Sequence, residues 1–202
     1  MSPWYDWMGG WAEQKHVQAA LQMLHASEGE HILEIGPGTG QALLRLAPSL
    51  GGSGRACGID LSGGMLSVAR GRVRRHGWVD RVELCQGDGS KLPFDSGCFD
   101  AAFMNFTLEL FATPEILEVL SECQRVLRSA GRLCVVALSK HKTGRMVRLY
   151  EWAHARFPQV VDCRPIYVRQ VIQEAGFKVM EVRGTSMWGL PVETVLANKE
   201  TL

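Results

Sequence analysis

His31-Ile32-Leu33-Glu34-Ile35-Gly36-Pro37-Gly38-Thr39-Gly40 is the stretch whose reading decides the fold. A short apolar strand (Ile32, Leu33, Ile35) runs into a turn with glycines at 36, 38 and 40, and the helical pattern ALLRLA follows at once. Glycine lets backbone approach a ligand closely and reach positive φ without a Cβ clash. Glu34 stands near the end of the strand. Beyond Gly40 a second apolar strand, ACGID, ends in Asp60. Strand, glycine turn, helix, strand and terminal acid make a βαβ unit that grips a nucleoside-like ligand at its strand ends.

Spacing narrows the ligand. A dinucleotide fingerprint is G-x-G-x-x-G, with pyrophosphate on the helix N-terminus. Here Gln41 stands where the last glycine should be, which argues against an NAD-dependent oxidoreductase. The chain reads E-x-G-x-G-x-G instead.

At 202 residues the chain is long enough for one domain with a real core. A net charge of +1 gives no global pull toward nucleic acid or anionic membrane. The six cysteines (57, 85, 98, 123, 134, 163) are scattered without a C-x-x-C pair. They read as reduced core thiols, so the expected location is cytoplasmic. No eighteen-residue apolar run is present, and the first residues lack a basic segment followed by an apolar core. No metal site is expected.

Outward from the motif, β and α patterns alternate through strands at 56–60, 82–86, 99–105 and 133–138. That predicts α/β architecture, a doubly wound, mostly parallel sheet. Ser62 reads as the N-cap of a helix that ends in Arg70, Arg72, Arg74 and Arg75. Those arginines read as a solvated face near a helix C-terminus. A helix opens at Pro114, and Gly131 closes the turn after it. The last third breaks the alternation. Helices are expected over 145–157 and 166–175, then an antiparallel hairpin of 177–182 with 193–198 around a loop carrying Met187, Trp188 and Pro191. At the other end, Trp4, Tyr5, Trp7 and Trp11 precede a helix over 12–26. They read as a flap over the cofactor or substrate. A surface arm is the alternative. The whole reads as one domain over 1–202, with a flap and helix (1–26), a cofactor core (30–140) and substrate-side elements (141–202).

LEIGPGTG, GIDLSGGML, GDGSKLPFDSGCFDAAF, ECQRVLRSAGRLCVV and ALSK, in that order, resemble the class I S-adenosylmethionine-dependent methyltransferases. Within them the pattern is similar to the ubiquinone/menaquinone-biosynthesis C-methyltransferase branch, and bacterial phospholipid N-methyltransferases share much of it. Residues 30–140 carry the likeness, with EAGF at 174–177 and Tyr5-Asp6 as further landmarks. After the fourth strand this chain reads NFTLELF, where the quinone enzymes carry a basic, asparagine-containing segment.

The resemblance implies a Rossmann-like methyltransferase fold and S-adenosyl-L-methionine as cofactor, bound by Tyr5, Glu34, Gly36, Gly38, Thr39, Gly40, Asp60, Leu61, Met65, Gly87, Asp88, Gly89, Asn105 and Phe106. Asp60 takes the ribose hydroxyls and Asp88 the adenine amine. Methyl transfer from a sulfonium is an in-line displacement, so the protein chiefly aligns and dries its reactants. A base is required only where the acceptor loses a proton. Glu109, Tyr150 and His154 are the candidates. The expected acceptor is a small, hydrophobic or lipid-like molecule, with quinone-ring C-methylation favoured. N-methylation of a phospholipid or small amine is the alternative, and a non-catalytic cofactor-binding module a third reading. Nucleic acid is not expected as a partner. Peripheral membrane contact and a homodimer are left open.

Overall fold

A computed structural model describes residues 10–140 and 164–200. Seven strands form one sheet: β1 (His31–Ile35), β2 (Arg55–Asp60), β3 (Val82–Gln86), β4 (Phe99–Asn105), β5 (Leu127–Leu138), β6 (Phe177–Met187) and β7 (Leu190–Lys199). Their order is β3-β2-β1-β4-β5-β7-β6. The first five pair in parallel, and β7 pairs antiparallel with both β5 and β6. The expected doubly wound sheet with its C-terminal hairpin is therefore present.

The helices are α1 (Gly10–Leu24), α2 (Gln41–Leu46), α3 (Gly63–Arg75), α4 (Thr113–Val126) and α5 (Val168–Glu174). Strand alternation sorts side chains to two faces. Ile32, Phe103, Cys134 and Val136 pack with α1 and α2, while Leu33, Ile35, Met104 and Val135 pack with α4 and α5. Central strands buried on both faces must read as apolar runs, as Leu133–Leu138 does. Burial pushes the Cys123 and Cys134 thiols up to about 12, which leaves them inert core groups.

Strand order reverses between β1 and β4. The chain winds outward from β1 to β3, then crosses back, so the loops after β1 and β4 part and leave a crevice at the carboxyl ends of the strands. One wall depends on how α1 is anchored. Arg132 of β5 donates from Nε to Leu24 O at 2.6 Å and from Nη2 to His25 O at 3.0 Å, and pairs with Glu30 at 2.7 Å. A guanidinium on the last helical carbonyls satisfies acceptors that have no partner within the helix.

Some boundaries differ from expectation. Helix α1 begins at Gly10 and ends at Leu24, two residues ahead of the predicted range. Helix α4 stops at Val126, and Leu127 already pairs with Phe99, so Gly131 does not close a helical turn. It lies in a bulged segment where pairing jumps from Phe99↔Leu127 to Ala101↔Arg132. The expected long loop at 183–192 is mostly strand. Met187 pairs with Leu190, leaving only Trp188 (φ 51°) and Gly189 (φ 80°) to turn. Two residues at positive φ give a turn whose twist matches the flanking strands. The flap residues Trp4, Tyr5 and Trp7, and the helix expected over 145–157 with Tyr150 and His154, lie outside the described residues.

Candidate active site

The glycine turn is stitched to β2. Gly36 N–H donates to Ile59 O at 2.8 Å, and Gly38 N–H donates to Asp60 Oδ2 at 2.9 Å. Asp60 Oδ1 accepts from Ser62 N–H at 2.8 Å. Ser62 in turn caps α3, its Oγ accepting from Met65 N–H at 3.3 Å, as the sequence predicts. On the far side, Gly87 N–H donates to Asp60 O at 3.1 Å. The turns after β1, β2 and β3 thus form one connected rim, with the exposed Leu61 beside Asp60. Thr39 is held by Arg72, which donates to its Oγ1 at 2.6 Å. That takes one of the four α3 arginines off the solvated face.

Two of the glycines have separate reasons. At Gly36 (φ +71°) an added Cβ would lie 2.4 Å from Thr107 Cγ2. At Gly38 (φ +53°) it would meet nothing within 4 Å, so this part of the turn borders open space.

Glu34 lies beneath the turn, 2 % exposed. Its carboxyl accepts from Leu43 N–H in the first turn of α2. The N-cap of that helix is Gly40, which has no side chain to cap with, so the preceding strand supplies the acceptor. Burial outweighs this bond, and the Asp60 charge adds to it, so Glu34 is pushed up to about 8. Among the described residues, Glu34 Oε2 and Asn105 Oδ1 are buried acceptors without a hydrogen-bond partner. Glu34 pairs with Phe103 across β1 and β4, so Asn105 stands two residues further up the neighbouring strand on the same face.

Past Asn105 the chain turns sharply. Phe106 adopts φ 51°, an uncommon conformation for a bulky side chain, and its N–H donates to Val136 O at 2.8 Å. Thr107 Oγ1 reaches Gly36 O at 3.4 Å. Glu109 is 1 % exposed, and its Oε1 accepts from Leu138 N–H at 3.2 Å. Asp88 is exposed and accepts from Ser90 N–H at 2.8 Å, which holds its carboxyl below the usual range. Gly89 is buried beside it.

Glu34, Gly36, Gly38, Thr39, Gly40, Asp60, Leu61, Gly87, Asp88, Gly89, Asn105 and Phe106 thus lie on turns at one end of the sheet or directly beneath them, and Met65 lies in the first turn of α3. Tyr5 is outside the described residues. Sequence reasoning missed Thr107, Arg72 and His16. The His16 ring meets Phe106 edge-on, centroids 5.9 Å apart. Nothing local signals it, because its hydrogen-bond partner Thr185 is 169 residues away.

Residues 32–131 match the family model described as a methyltransferase domain. This segment is a methyltransferase domain. The chain is 36 % identical over 132 residues to a demethylmenaquinone methyltransferase of Symbiobacterium thermophilum, covering 65 % of this chain and 51 % of that one. It is 32 % identical over 123 residues to a ubiquinone/menaquinone biosynthesis C-methyltransferase of Hahella chejuensis, covering 61 % and 49 %. The chain therefore spans about half the length of these curated relatives. In fold it is similar to an S-adenosylmethionine-dependent methyltransferase from Aquifex aeolicus, with TM-score 0.69, 23 % identity, and coverage of 90 % of this chain and 88 % of that one.

The methyltransferase domain fits S-adenosylmethionine on its own geometry. The open space at Gly38 admits a ligand against backbone. The two unpartnered acceptors, Glu34 Oε2 and Asn105 Oδ1, suit the ammonium of an amino-acid tail. Each Asp60 oxygen has one acceptor site left after its amide bond, enough for a vicinal diol. Among the described residues, no group of three or more His, Cys, Asp or Glu could hold a metal ion, and no helix is long and apolar enough to cross a membrane.

Proposed function

We propose that this chain methylates a small hydrophobic acceptor, a quinol ring carbon in the first instance, with S-adenosylmethionine as donor. The observation that carries the reading is the Gly38–Asp60 bond at 2.9 Å. It sets the open space at Gly38 and the Asp60 carboxylate, the group proposed to take the diol, on one rim. The bound donor supplies a methyl group already activated on a sulfonium. Asp60 and Asp88 hold the nucleoside end, while Glu34 and Asn105 receive the amino-acid end. Phe106 then stands between the donor site and the side of the crevice over β5 and β7. That side is apolar, with Phe106, Met187 and Leu190 packed in the cluster that α1 covers, and it excludes water from a displacement that water would compete for. The names of the relatives point the same way, one being a demethylmenaquinone methyltransferase and the other a ubiquinone/menaquinone biosynthesis C-methyltransferase.

A second reading, N-methylation of an amine, rests on carboxylates near the end of β5. Glu109 bonds Leu138 N–H, and Glu193, whose Oε2 is buried without a partner among the described residues, pairs with Ala137. Incubation with methyl-labelled donor and either a reduced demethylmenaquinone or a phosphatidylethanolamine vesicle separates the two. Label in the quinol with release of S-adenosylhomocysteine is expected. Label in the amine alone replaces the first reading by the second. Donor binding without S-adenosylhomocysteine from any acceptor in a lipid and metabolite extract leaves a cofactor-binding module.

A further inference from the structure

Over β1, β2 and β3 the crevice is polar and accounted for by the donor. Its other half is an apolar wall, yet a titratable ring stands in it. His16, on α1, is 8 % exposed. Its Nδ1 lies 3.2 Å from Thr185 Oγ1, and its ring meets Phe106 edge-on with planes at 89°. Thr185 pairs with Val192, and Val192 with Leu138, the last residue of β5. Phe106 follows the last residue of β4. The imidazole therefore sits at the carboxyl end of the sheet above β5 and β7, across Phe106 from the glycine turn.

Its surroundings favour the neutral ring. Burial moves His16 below its usual range, and no neighbouring charge opposes this. Further along the same face of β6, Arg183 and Glu181 satisfy each other at 2.6 Å. In the tautomer whose Nδ1–H donates to Thr185 Oγ1, Nε2 carries a free lone pair, the form a general base requires. The helix that carries the ring is fixed at its far end by Arg132 and nearer by Gln14, whose Nε2 lies 3.5 Å from Gln41 Oε1 at the start of α2.

We propose that His16 contacts the methyl acceptor and accepts the proton that the acceptor loses, with Thr185 as its positioning residue. The proposal rests on the methyl-transfer reading. As the acceptor carbon bonds the methyl group, the electron pair of the broken C–S bond stays with sulfur. The pair of the acceptor's C–H bond returns to the ring, and its proton passes to Nε2. The positive charge that enters on sulfonium leaves on imidazolium, which then gives its proton to water.

The test uses the full chain, S-adenosylmethionine, and a short-tailed reduced demethylmenaquinone as acceptor probe. In His16→Gln, donor affinity by calorimetry stays within about twofold, while kcat falls by ~100-fold and the acid limb of its pH profile disappears. Thr185→Val, which keeps shape and removes the hydroxyl, lowers kcat less and displaces that limb. Independently of turnover, the His16 ring signal in an NMR titration, assigned by its loss in His16→Gln, moves when the probe is added. Three results overturn the proposal: an acid limb that persists in His16→Gln, a KM effect with kcat intact, or a ring signal indifferent to saturating probe. Absence of donor heat in the unaltered chain would instead defeat the methyl-transfer reading.

Discussion

The two halves of the crevice are built by different means. Over β1, β2 and β3, polar groups are fixed by nearby backbone. Asp60 takes amides from Gly38 and Ser62, and Asp88 takes one from Ser90. Over β5, β7 and β6, the site is assembled by docking. His16 on α1 meets Thr185 across 169 residues of chain, and α1 itself is pinned by Arg132. A ligand gripped by turns needs only local sequence and a sheet to hold the turns level. A pocket made where a helix lies on a hairpin needs the finished fold. Substitutions in the first half should therefore move donor affinity and stability together. Those in the second should move turnover or hairpin stability and leave donor affinity alone.

The largest effect expected lies on the pH axis. Unfolded, Glu34 loses its proton near 4.5, whereas in the ligand-free fold it holds it to about 8. Between those values the unfolded chain binds fewer protons, so stability falls as pH rises. The contribution is intact below 4.5 and is lost by pH 8, a span of roughly 4–5 kcal/mol. Denaturant unfolding from pH 5 to 8.5 should show that slope, and Glu34→Gln should flatten it. An ammonium placed beside the carboxyl reverses the effect of burial, so donor binding near pH 7 should release about one proton. Calorimetry in two buffers of different ionisation heat measures this, and equal heats in both would remove Glu34 from the donor site.

Next comes Gly36→Ala. The new Cβ meets Thr107 at 2.4 Å and must hold φ +71°. A loss of ~3 kcal/mol and of donor binding is expected, the sum of a backbone strain and an overpacking cost. Adding Thr107→Ala should return the steric part and leave the strain. If the single variant unfolds at the same denaturant concentration as the parent, the turn is not as tightly set as the comparison requires. Asp60→Ala follows. It removes the diol acceptor and strands two amides, so donor Kd should rise ~100-fold, about 2.7 kcal/mol. Undiminished affinity would break the distinction between the halves outright.

The same distinction explains what could be read in advance. Glu34, the three glycines, Asp60 and Ser62 lie in short segments where residue type dictates geometry: glycine for positive φ, serine for a cap, an acid at a strand end. The parallel sheet followed from apolar runs such as Leu133–Leu138. By contrast, His16 sits on an ordinary helical pattern, and only the docking of α1 against β6 gives it a neighbour. Thr107 matters because Gly36 folds back against it across 71 residues. The hairpin turn was hidden for another reason: tryptophan is not a turn former, and Pro191 reads as a breaker. Pro191 is tolerated because it is the second residue of β7, where its carbonyl is used by Ser139 N–H at 2.9 Å.

Trp188 gives the smallest effect and the finest discrimination. It is 62 % exposed, so burial does not explain a large ring at the tip of the hairpin, and its φ of 51° is one that asparagine adopts more easily. Trp188→Asn creates Asn-Gly, the preferred pair for this turn, and should raise stability by ~0.5–1 kcal/mol. Donor affinity should not change, since the turn is on the far side of the sheet from β1 and β2. If kcat/KM for a hydrophobic acceptor falls in the more stable variant, the ring is held in strain for contact with that acceptor, and the second half of the crevice extends to the hairpin tip. If kcat/KM is unchanged, the acceptor half ends at Thr185 and the apolar wall behind Phe106.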